Sequence, residues 1–119
     1  MGVVFEPVTI AITTAVSTPF ELQGRRLVGV VTPAAWTAAD LSLEVYVPPL
    51  AAWKKVVDNS GALVKSTGLA TGASEVNLLP EIADRIVFNT MRLVSTNTAS
   101  EADVNQDAAR TLYVIMERE

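Results

Sequence analysis

Between positions 41 and 47, Leu41, Leu43, Val45 and Val47 alternate with Ser42, Glu44 and Tyr46. A period of two is that of a β-strand with one buried face. Just upstream, Arg26–Val31 is apolar on both faces and predicts a second strand. Pro33 ends it, because proline cannot donate to a ladder. A Pro-Ala-Ala-Trp corner at 33–36 then leads to the alternating strand. At such a corner Trp36 has two readings: a plug for the end of a core, or a ring for a ligand to stack on.

The rest of the chain repeats this grammar of short strands and turns. Positions 8–13 alternate with β-branched residues on both faces, and 20–22 is a short strand before a Gln23-Gly24 turn. Positions 53–57 and 62–65 predict a hairpin across Asp58-Asn59-Ser60-Gly61, where Asn and Gly tolerate positive φ. Lys54 and Lys55 are charges of the kind that discourage edge pairing. A Gly, Thr, Ser and Ala loop follows at 66–74, then strands at 75–78, 86–88 and 91–95. Residues 80–84 suit one helical turn with proline near its start. The run 96–109 is a polar connection, and 110–116 is apolar on both faces and so predicts a central strand. About nine short strands, closely spaced turn signals and almost no helix predict an antiparallel β-sandwich or jelly roll with at most one short helical turn. Its 119 residues suit one domain.

The chain contains no His and no Cys. That removes thiol nucleophiles, disulfides, the common zinc sites and imidazole acid–base chemistry. Serine catalysis would need a lysine or carboxylate base, and Lys54, Lys55 and Lys65 lie near turns that keep them protonated. A carboxylate-pair glycosidase would need a groove of long loops that the chain is too short to build. The segment 67–72, TGLATG, is no phosphate cradle. Glu101, Asp103 and Asp107 invite a calcium reading, but they lack the order and closing Glu of a calcium loop. The expectation is therefore no enzyme, no cofactor and no metal. Net charge is −4 without a basic stripe, which predicts no nucleic-acid partner. No run of 18 apolar residues is present, so no membrane span is expected. Met-Gly at the start does not make a myristoylation signal, because position 6 is Glu6.

Half the residues are hydrophobic and 18% are charged. Either the core is rich in small apolar residues, or apolar surface is reserved for other subunits. Val3, Val4 and Phe5, set off by Pro7, are the candidate partner contacts. They predict either an arm over 1–7 that lies across a neighbour or an ordinary edge strand. A carbohydrate-binding module is the rival, with Tyr46 as the aromatic on the polar face of a clean alternation.

Two blocks, GRRLVGVVTPAAWTAADLSLEV at 24–45 and VNQDAARTLYV at 104–114, resemble a class of small tailed-bacteriophage virion proteins. In that class a strand ending in such a corner leads to an alternating strand, and a Val-Asn-Gln turn leads to the last strand. The middle, VPPLAAWKKVVDNSGALV and LLPEIADRIVF, departs from the pattern. The resemblance implies a structural virion protein, with a capsid decoration or cement protein favoured over a tail or head–tail junction component. It implies the major capsid protein and copies of itself as partners, homo-oligomerisation in the particle, synthesis in the host cytoplasm and a final place on the outer capsid surface.

Overall fold

The computed structural model describes residues 2–66, 74–80 and 89–118. Among these residues eight strands follow in order: β1 (Gly2–Ile10), β2 (Phe20–Glu21), β3 (Arg26–Val31), β4 (Asp40–Val47), β5 (Ala52–Lys55), β6 (Val76–Leu78), β7 (Thr90–Thr96) and β8 (Arg110–Arg118). They form two antiparallel sheets, ordered β1-β8-β3-β6 and β2-β7-β4-β5. A 3-10 turn at Pro48–Leu50 is the one helical piece described. The pairing is nested: β1 with β8, β2 with β7, β3 with β6, β4 with β5. First strand meets last, as if one long hairpin had been rolled up. The protein is an all-β sandwich with the strand order of a jelly roll.

The core lies between the sheets and follows the alternation. Leu41, Leu43 and Val45 of β4 and Met91 and Leu93 of β7 face Val8 and Ile10 of β1 and Leu112, Val114 and Met116 of β8. The register of β3 against β8 shifts between Leu27 and Gly29. This bulge, an extra residue in one strand, explains why Leu27 and Val30 both reach the core, although regular alternation would separate them. Gln23 and Gly24 both adopt positive φ, 52° and 77°, and Arg25 N–H bonds the Leu22 carbonyl at 3.0 Å. This tight turn, with positive φ at both central residues, carries the chain from β2 in the second sheet to β3 in the first.

Several expectations change. The first good strand begins at Gly2, not at position 8, and stops at Ile10. Beyond it Thr13 takes a positive φ and the chain turns. Residues 2–7 are therefore part of a ladder, paired residue for residue with β8 from Gly2↔Arg118 onward. The arm reading gives way to the edge-strand reading, because β8 offers β1 a full-length partner. The Asp58 turn forms, and Asp58 Oδ1 accepts from Ser60 and Ala62 amides. The Ser60 hydroxyl first, then those amides, hold its carboxyl below the usual carboxylate range. Of the hairpin around the turn only the Val57↔Leu63 bridge forms, while the strand at β5 pairs back onto β4. Trp36 is half-buried, packed against the core with its indole N–H on the Ala39 carbonyl at 3.2 Å. It plugs the corner only in part. The strand expected at 86–88, most of the helical turn at 80–84 and most of the loop at 66–74 lie outside the described residues.

Candidate functional site

Alternation along β1 sends Val8 and Ile10 inward, so Val3, Phe5 and Pro7 face outward. Register then builds rows across the first sheet. One row runs Phe5, Ile115, Gly29, Leu78, and the next Pro7, Tyr113, Val31, Val76. Neither row contains a charged side chain. Val3 and Phe5 are each 57% exposed, Tyr113 45%, Val76 60% and Leu78 62%. Single exposed apolar residues are ordinary, but uncharged rows that carry exposed apolar side chains on β1, β8 and β6 make this face the candidate contact surface. Its border is polar: the row carrying Val3 continues to Glu117, which is ion-paired with Arg26. Gly29 lets the last strand close up. A Cβ there would stand 2.7 Å from the Asn77 carbonyl oxygen.

Of the three predicted contacts, the structure brings Val3 and Phe5 onto this face and turns Val4 to the opposite side of the strand, half-buried. The remainder of the face came from residues that no local pattern singles out. Val76, Leu78 and Tyr113 join Phe5 only through strand pairing between distant segments of chain, β1 with β8, β8 with β3 and β3 with β6.

The second sheet's outer face is different in kind. Glu44 sits opposite Arg92; its Oε1 accepts from Arg92 Nε at 2.8 Å and lies 2.7 Å from Nη2. The Arg92 guanidinium lies 4.4 Å over the Trp53 ring, and Tyr46 meets Trp53 edge-on at 5.4 Å and 65°. The two rings thus share no flat platform for a sugar, and one Trp53 face is taken by Arg92. Further along, the fully buried Asp40 has Lys65 Nζ 3.3 Å from Oδ2. Lys65 also lies 3.4 Å from Glu101 and donates to the Thr98 carbonyl at 3.1 Å. Among the described residues, neither Asp40 carboxylate oxygen accepts a hydrogen bond in good geometry. The separation still makes an ion pair, so Lys65 neutralises Asp40 as a point charge. Lys55 pairs with Asp103 at 3.3 Å. The three carboxylates of the calcium reading therefore diverge: Glu101 to Lys65, Asp103 to Lys55, Asp107 to Arg110.

One residue escaped sequence reasoning. Gln106 is fully buried; its amide donates to Ser95 Oγ at 2.8 Å and the Thr37 carbonyl at 3.1 Å, and accepts from Thr37 N–H at 3.0 Å. Its backbone bonds Thr13 and Thr14. This knot joins the segment after the Trp36 corner to the turn before the last strand. Every polar group of its side chain is satisfied, which makes it a structural tie.

No family model matches this chain, and no curated protein or solved structure matches it. Among the described residues, the outer face of the first sheet carries exposed apolar side chains in two uncharged rows.

Proposed function

We propose that this protein is a structural component of a virion, a capsid decoration protein of a tailed phage. In this reading it reinforces the shell by burying the outer face of its first sheet against the major capsid protein. The observation that carries the reading is the pair of uncharged rows, Phe5 to Leu78 and Pro7 to Val76, beside a second sheet whose outer face carries ion pairs. Water-exposed apolar area of this kind contributes nothing to a lone domain, and burying it is favourable by roughly 25 cal/mol per Å². Jelly rolls serve as capsid and lectin domains alike, so the fold does not choose between them. The tilted Tyr46 and Trp53 rings disfavour the lectin choice. A protein that binds only the assembled shell stabilises it by mass action.

The test is co-sedimentation with phage heads that lack the protein. The wild-type chain should saturate them at a fixed copy number, and Leu78→Lys should bind at least about tenfold more weakly, because a charge is then buried unpaired. Recovery of the protein only on tails would replace decoration with the tail-component reading. Equal binding by Leu78→Lys would overturn the assignment of this face.

A further inference from the structure

Three of the four described sheet edges are short or guarded. β2 spans two residues and β6 three, and β5 ends in the exposed Lys54 and Lys55. β1 is nine residues long and lies at the edge of its sheet.

The direction of its free backbone groups follows from two residues. Pro7 has no N–H, so within a ladder to β8 its nitrogen faces away from β8. Thr9 donates its N–H to the Thr18 hydroxyl at 3.1 Å and accepts from Thr18 N–H at 2.9 Å, also away from β8. Alternation turns the N–H and C=O of Val3 and Phe5 the same way. Among the described residues, nothing outside β8 hydrogen-bonds these four groups.

We propose that β1 pairs antiparallel with β1 of a second copy, joining two four-stranded sheets into one of eight. Addition of a strand to an open edge is a general mode of recognition, and a two-fold axis makes it self-complementary. The register is set by what the edge offers. With the axis beside Val4, Val3 lies opposite Phe5 of the copy and Phe5 opposite its Val3. All four backbone groups on each strand are then bonded, and the two apolar outer faces become continuous. With the axis beside Phe5, Val3 would face Pro7, whose missing N–H leaves the Val3 carbonyl unpaired. That arrangement also brings the Cα atoms of the two Glu6 residues to within about 8 Å, against about 14 Å for the Val4-centred one. Arg25, 3.8 Å from Glu6 of its own chain, offsets that charge from within the domain.

The free protein decides the matter with no particle present, so the outcome is independent of the virion reading. Sedimentation equilibrium at about 100 μM, above the Kd of a micromolar contact, should give a dimer. Phe5→Pro removes one outward donor and keeps the ladder to β8, as Pro7 does. It should raise the dimer Kd at least about tenfold with the circular dichroism spectrum unchanged. Should that variant unfold, Phe5→Lys serves, since an edge lysine opposes pairing. The chain has no cysteine of its own, so a single Val4→Cys reports the register on the native backbone. Two such residues face each other about 4.5 Å apart at Cα, within disulfide reach. Val4→Cys should cross-link under mild oxidation at least about tenfold faster than Phe5→Cys. A monomer at that concentration overturns the proposal, as does a dimer indifferent to Phe5→Pro and Phe5→Lys. Faster cross-linking of Phe5→Cys overturns the register.

Discussion

The two sheets share one topology and turn opposite surfaces outward. The first shows Phe5, Tyr113, Val76 and Leu78 with no charge among them. The second shows Glu44, Arg92, Lys55 and Lys65, and almost every charge is spent on another. The cause lies in what is laid over each sheet. The turn at 97–103 folds back onto the second sheet, tied by Thr98 and Glu101 to Lys65 and by Asp103 to Lys55. Asp40 and Ser42, on the outward side of β4, are fully buried, with Lys65 against Asp40 and Thr96 bonded to Ser42. The second sheet is thus packed on both faces, with polar residues closing the outer one. Among the described residues nothing comparable covers the first sheet's outward side chains.

This contrast predicts unequal tolerance to substitution. The largest effect should come at Lys65. Replacing it by methionine leaves the buried Asp40 carboxylate without its cation, and breaking a buried pair from one side costs about 3–5 kcal/mol. Urea unfolding should record that loss, and adding Asp40→Asn should restore most of it. A Lys65→Met protein of wild-type stability would mean the outer layer of the second sheet is loosely held.

Next comes Gly29, the tight point of the other sheet. Gly29→Ala places a Cβ against the Asn77 carbonyl, and overpacking of this kind costs about 1–3 kcal/mol. Thermal unfolding measures it. An unchanged melting temperature would show that β6 moves away at no penalty. The smallest effect on the free protein should be that of Leu78→Lys, within about 0.5 kcal/mol, as for surface sites generally. A large loss there would show that the first sheet's face is covered within the chain, and the contrast between the sheets would fail.

Much of the fold was legible in the residues. The alternation at 41–47 named the core side of β4, and the apolar run at 110–116 marked β8 as central, which it is, between β1 and β3. The Asn-Ser-Gly and Gln-Gly turns were readable from Gly61 and Gly24, which take the positive φ that few residue types adopt. The candidate face was legible only at one margin, Val3 and Phe5. Pro7 made that segment look detached, since proline usually interrupts a strand. At an edge it does not, because its missing N–H falls on the open side. Trp36 was legible as a corner residue but not as a half-exposed one.

The sequence alone determined which residues share a face, because side chains alternate along a strand whatever surrounds it. Which face meets what was decided only in three dimensions. Nested pairing brings position 5 beside 115 and position 29 beside 78, and no local pattern encodes such long-range contacts. Ser42 and Glu44 read as solvent-facing, yet both are buried, Ser42 against the Thr96 hydroxyl and Glu44 against Arg92. Gln106 reads as a loop glutamine, yet it ties the corner to the last strand. Polar residues can be buried in this way only where partners from distant chain segments complete their hydrogen bonds and charges, and those partners are assembled by the tertiary structure.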